Sequence, residues 1–174
     1  VHNGHIDIES DSTGTAFDLY LPASSASDLP VTTHRSVEDL RGHGESVLVI
    51  DDEEQQRFVA TSMLDRLGYV VRAVASGEEA LTVLESEPAD LLILDMIMPG
   101  GWGGAETYQR IIEKHPGQRA VIASGFAETD EVRSAQAAGA GAFLHKPYTL
   151  EQLARTIRDE LRKGADTAPS NDAS

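Results

Sequence analysis

From Ser46 to Lys163 the chain alternates five times between a short apolar run and a longer stretch with apolar residues at helical spacing. Ser46–Ile50, Tyr69–Val74, Leu91–Leu94, Ala120–Ala123 and Ala142–Leu144 are the runs. Each is too short for a helix and close to unbroken, as expected of strands covered on both faces. The first intervening stretch carries Val59, Met63 and Leu67 at i, i+4 and i+8 and stops at Gly68. In the second, Ser76 and Glu79 make a capping box before Ala80, Leu81 and Leu84. A third helix runs from about Gly104 to His115 with Ala105, Tyr108, Ile111 and Ile112, and a fourth carries Val132, Ala135 and Ala138 up to Gly139. Leu150, Leu153, Ile157 and Leu161 close the domain. Short connections between alternating strands and helices leave one economical solution, an α/β fold with a parallel sheet and helices on both faces.

In such a sheet the working site lies beyond the carboxyl ends of the strands. That rule selects Asp51 and Asp52 after the first run, Asp95 at the end of the third, Ser124 after the fourth and Lys146 after the fifth. Asp95 follows Leu91–Leu94 directly, and a carboxylate at the end of a buried strand needs a cation, donors or an open crevice. Pro99 and four glycines within Gly100–Gly104 make the loop beside it light in side chains. Asp95 is a nucleophile, a metal ligand or merely a turn residue on this evidence alone. Three neighbouring carboxylates repel unless a cation neutralises them. All-oxygen ligands suit Mg²⁺, an aspartate can attack phosphorus, and an ammonium with a hydroxyl can bind phosphoryl oxygens.

With these residues on one rim, the chain resembles the receiver domain of two-component response regulators over roughly residues 46–163. Asp51-Asp52, Asp95 followed by Met-Ile-Met-Pro, Ser124-Gly125 and Lys146-Pro147 carry the resemblance in order and spacing. It implies a (βα)5 doubly wound sheet of flavodoxin-like order 2-1-3-4-5. It also implies that Asp95 accepts a phosphoryl group from phosphohistidine, with Ser124 and Lys146 completing the catalytic set. Asp52 and Asp95 would hold Mg²⁺ directly, Asp51 largely through water, and the Ile97 carbonyl would be a further ligand. Ser124 with Phe143 matches the family's switch pair, although Phe143 reads equally well as a core aromatic. The Lys146–Pro147 bond is expected to be cis, which proline permits. The implied partner is a histidine kinase or a histidine phosphotransfer protein.

Residues 1–22 alternate Ile6 and Ile8 with acids, turn through Ser, Thr and Gly, and alternate again at Phe17, Leu19 and Leu21, a hairpin pattern. This stretch resembles the end of a histidine-kinase ATP-binding domain, truncated so that ATP binding is not expected. It implies the C-terminal piece of a hybrid histidine kinase. Residues 23–45 read as a linker with a short helical turn at Val37–Leu40, and residues 164–174 as a disordered tail.

The net charge of -15 is spread along the chain and opposes binding to nucleic acid or anionic lipid. The absence of cysteine excludes disulfides and thiolate metal sites. No apolar run approaches the ~20 residues of a membrane span. The piece reads as cytoplasmic, and a longer, membrane-anchored parent is compatible with it. Trp102 is unexpected among glycines, either as a partner contact or as a plug for the loop. Among rival readings, an aspartate-nucleophile phosphatase of the haloacid dehalogenase type needs a second aspartate where Ile97 stands. A docking-only pseudo-receiver would not need all five site residues filled. A free-standing single-domain response regulator differs only in lacking a kinase-like hairpin.

Overall fold

The structure, a computed structural model, describes residues 4–22, 40–125 and 129–163. The expected linker up to residue 39, including most of its helical turn, and the expected tail lie outside the described residues. The chain divides into two units, residues 1–34 and 35–174.

The first unit holds the hairpin β1 (His5–Asp11) and β2 (Gly14–Tyr20). Its turn is fastened by the Asp11 carboxylate, which accepts from the Thr13 and Gly14 amides. Ile6 faces Leu19 and Ile8 faces Phe17 across the ladder, while Asp7 faces Asp18. Strand alternation therefore puts the four apolar side chains on one face and the acids on the other. All four apolar residues are more than half exposed.

The second unit has β3 (Ser46–Ile50), β4 (Val70–Val74), β5 (Leu91–Asp95), β6 (Ala120–Ser124) and β7 (Phe143–His145) in one parallel sheet. Their order is β4-β3-β5-β6-β7, the expected 2-1-3-4-5 counted from β3. The connecting helices are α1 (Glu54–Arg66), α2 (Gly77–Ser86), α3 (Gly104–Lys114), α4 (Asp130–Ala137) and α5 (Leu150–Arg162). Alternate strand residues feed two cores. Val47, Val49, Leu91 and Ile93 pack with Leu64 of α1 and Ile157 of α5, whereas Leu48, Ile50, Leu92 and Leu94 pack with α2, α3 and α4.

Two local expectations change. Helix α1 buries Ala60 and Leu64 and partly buries the expected Met63, but not Val59, which is 44% exposed beside Phe58 at 70%. Leu67 is buried just past its end, and Gly68 stops the helix at φ 84° as expected. In α2, Ser76 does accept from the Glu79 amide, but Glu79 reaches back to the Ala75 amide, one residue earlier than a capping box requires. The full box occurs instead at Thr149 and Gln152 of α5.

The last residues of the expected linker pack onto this unit. Leu40 is buried in the α1–α5 core, the Gly42 amide donates to the Leu67 carbonyl at 2.8 Å, and Glu45 pairs with Arg158 of α5 at 2.6 Å.

Candidate functional site

Parallel register brings the selected residues to one rim. β3 and β5 end side by side, so Asp51 follows Ile50 while Asp95 terminates the neighbouring strand. Asp95 pairs with Ala123, which sets Ser124 one step farther along β6, and Ser124 pairs with His145 just before Lys146. Asp51, Asp95 and Ser124 are all buried. Gly104 allows α3 to start against this rim: a Cβ there would collide with the Asp95 carbonyl and Met96.

The carboxylates form one cluster. Asp51, Asp52 and Asp95 each offer an oxygen, and these oxygens lie within 4.8 Å of one another. The Lys146 ammonium stands among them, 2.6 Å from Asp51 Oδ2 and 3.2 Å from Asp95 Oδ2. Asp51 Oδ1 accepts from the Glu53 amide at 2.9 Å, so both its oxygens are engaged. Asp52, half-buried, makes no side-chain hydrogen bond or ion pair among the described residues. Burial pushes the Asp95 carboxyl above its ordinary value; Lys146 opposes this, and Asp51 reinforces it. Burial alone would lower the Lys146 pKa, but the Asp51 and Asp95 carboxylates outweigh it and raise the value. One ammonium among three carboxylates leaves the cluster short of positive charge.

Those donors fit Mg²⁺. They are hard oxygens, close enough to share one ion, and one of them is unpartnered. Ile97 holds its side chain outward, 49% exposed, and its amide donates to Asp95 Oδ1 at 3.4 Å. Lys146–Pro147 is cis, as expected. Phe143 is half-buried against the α2–α4 core, with its ring edge-on to His145 at 6.3 Å. Trp102 is pinned in the loop: the Arg110 guanidinium lies 4.3 Å over its ring, and its amide donates to Glu78 Oε1 at 3.4 Å. A hollow of about 280 Å³ lies between this loop and Asp52.

Sequence patterning does not single out Arg57. Its Nη1 donates to the Asp51 carbonyl at 2.7 Å and the Asp52 carbonyl at 2.8 Å. The available signal is weak: a cation early in the helix that follows an acidic pair.

Fold and rim together are those of a receiver domain, and comparison with known proteins agrees. Residues 47–158 match the response regulator receiver domain, and the chain belongs to that family. It is 34% identical over 160 residues to the sensor kinase CckA of Brucella abortus, covering 86% of this chain and 17% of that protein. It is 29% identical over 119 residues to sporulation initiation phosphotransferase F of Bacillus subtilis, covering 68% of this chain and 92% of that one. Two further curated relatives are matched over 52% of their length. The chemotaxis protein CheY4 of Vibrio cholerae superposes with a TM-score of 0.64 at 25% identity, covering 67% of this chain and 98% of that structure.

Proposed function

We propose that this chain is the phosphoacceptor of a two-component phosphorelay, in which Asp95 takes a phosphoryl group from a phosphohistidine. The observation that carries this reading is the Lys146 ammonium bridging Asp51 and Asp95 beside the Asp52 carboxylate, which has no partner among the described residues. In the transfer an Asp95 oxygen forms the new P–O bond. The donor's P–N bond breaks, and its electron pair stays with the imidazole, which takes up a proton. Lys146 pairs with one phosphoryl oxygen and the Ser124 hydroxyl donates to another. Asp52 and Asp95 would hold Mg²⁺ directly, Asp51 would act largely through water, and the Ile97 carbonyl would add a ligand. When bound, Mg²⁺ neutralises the carboxylates and shields the incoming oxygens. Phe143 then moves inward as Ser124 closes on the phosphoryl group, a shift biased by the new charge cluster.

The donor is a histidine kinase or a histidine phosphotransfer protein, with no nucleic-acid or membrane contact by this piece, which acts in the cytoplasm. None of the helices among the described residues is long and apolar enough to cross a membrane. Origin from a hybrid kinase has separate support. Residues 47–174 alone cannot hold 86% of the chain, so the CckA match takes in residues before Val47. The apolar face of the hairpin also suits a sheet continued by other strands.

The test is incubation of the whole protein with Mg²⁺ and acetyl phosphate, followed by intact mass and backbone shifts. One phosphoryl group should be added, with shifts at Asp95, Ser124 and Lys146 that vanish in Asp95→Asn. No adduct, or an adduct that survives Asp95→Asn, would sink the reading. Continuous turnover of an ordinary phosphate ester would favour a phosphatase.

A further inference from the structure

The three carboxylates are not held equally. Asp51 is fixed through its side chain by the Glu53 amide and by Lys146, and Asp95 is fixed by Lys146 and the Ile97 amide. Asp52 has no such support among the described residues. Its carboxylate is aimed only by its own backbone, and that backbone is held by Arg57. A single guanidinium nitrogen gives one hydrogen to the Asp51 carbonyl and one to the Asp52 carbonyl, at 2.7 and 2.8 Å. Arg57 is itself held on the first turns of α1, where its amide donates to the Glu53 carbonyl at 3.0 Å. The Thr61 hydroxyl donates to the Arg57 carbonyl at 2.8 Å. Arg57 is half-buried, and among the described residues its guanidinium bonds go to carbonyls and none to a carboxylate. It thus supplies rigidity to the loop without occupying an oxygen that a cation would use.

We infer that Arg57 is a positioning residue for the divalent cation: by clamping the two carbonyls it sets the direction of the Asp52 carboxylate and so the affinity for Mg²⁺. The inference rests on the phosphoacceptor reading above. It makes a prediction whose sign separates it from simple electrostatics. A guanidinium beside an acidic cluster repels a cation, so through-space charge alone predicts that removing it tightens Mg²⁺ binding. Loss of the clamp predicts the opposite. Groups that orient metal ligands typically contribute about 10- to 100-fold to affinity.

The experiment titrates MgCl₂ into the full chain and into Arg57→Met and Arg57→Lys. Binding is read from fluorescence of Trp102, the single tryptophan, whose loop shares a hollow with Asp52. Arg57→Met should weaken Mg²⁺ binding by roughly tenfold or more. Arg57→Lys keeps the charge but has a shorter head without the planar fork, and should fall between Arg57→Met and the unaltered chain. Labelling by acetyl phosphate should need correspondingly more Mg²⁺ in both variants yet reach the unaltered plateau once Mg²⁺ saturates. A merely damaged fold would lower that plateau and the melting temperature in EDTA. If Arg57→Met does not fold, Arg57→Lys still decides, because charge alone predicts no change in it. Unchanged or tighter affinity in the folded variants overturns this assignment alone. An unaltered chain that binds no Mg²⁺ overturns the assignment together with the phosphoacceptor reading.

Discussion

Asp95 is 8% exposed, and its one cationic neighbour among the described residues, Lys146, is shared with Asp51 at a shorter distance. A buried carboxylate gains from a salt bridge only when the partner's attraction exceeds the cost of leaving water. Here it does not: burial outweighs Lys146 and holds the Asp95 carboxyl above its ordinary value. One ammonium thus leaves the ionised form of Asp95 disfavoured, a bias that would suit a group taking up a cation and then a phosphoryl group. Asp95→Asn removes one charge while leaving Lys146 paired with Asp51. In EDTA at neutral pH the variant should be more stable than the unaltered chain by about 1 kcal/mol, the ordinary size of a single-site effect. Urea denaturation measures it. A less stable variant would mean that the Lys146–Asp95 pair outweighs the burial cost.

At the scale of elements, the segment before β3 behaves as a strap. Tyr69 Oη donates to the buried Leu40 carbonyl at 3.4 Å, and the Glu45 carboxylate joins the strap to α5 through Arg158. Burial alone would raise the Glu45 pKa, but the His43 amide, its own amide and Arg158 outweigh it and bring the value below 4.5. A group whose folded pKa is depressed contributes stability above its unfolded pKa and loses it as the pH falls through the folded value. Glu45→Gln should thus cost about 1 kcal/mol at pH 7, in keeping with a charge-assisted bond at a partly exposed site. The gap should close as the pH falls below 4.5. A gap that stays constant into acid would show that packing, not charge, holds the strap. The strap also marks where sequence patterning stops being legible. It closes a stretch that reads as linker from its Ser, Thr, Asp, Gly and Pro, and one anchoring leucine forms no period. Helix α1 hides part of its face for a related reason: Ala60 is small enough to suit either side, so the stripe of Val59, Met63 and Leu67 holds at Met63 and Leu67 but misplaces Val59. The strands were plain because strands buried on both faces are written as continuous apolar runs. Asp51, Asp52, Asp95, Ser124 and Lys146 were plain because each terminates such a run. Arg57 was not, because a clamp on backbone carbonyls leaves no pattern of side-chain types.

Across the whole molecule, the rim exists only when the chain is folded. Asp51 and Lys146 are 95 positions apart in sequence, yet lie 2.6 Å apart in space. A cation that binds this rim binds the folded state and not the unfolded one, so its binding energy is added to stability. At a concentration 100 times its Kd, Mg²⁺ should add about 2.7 kcal/mol, which for a domain of this size raises Tm by roughly 10 °C. Any salt also screens the self-repulsion of a chain with net charge -15, so a rise with MgCl₂ alone is ambiguous. The decisive comparison is calorimetry in MgCl₂ against NaCl of equal ionic strength. Site binding predicts a rise in MgCl₂ beyond that in NaCl, growing with the logarithm of Mg²⁺ concentration above Kd. Asp52→Ala should remove most of the excess, since that carboxylate is the proposed ligand left without a partner among the described residues, while the NaCl response stays. Equal rises in the two salts would assign the effect to screening and leave the carboxylate cluster without a resident cation.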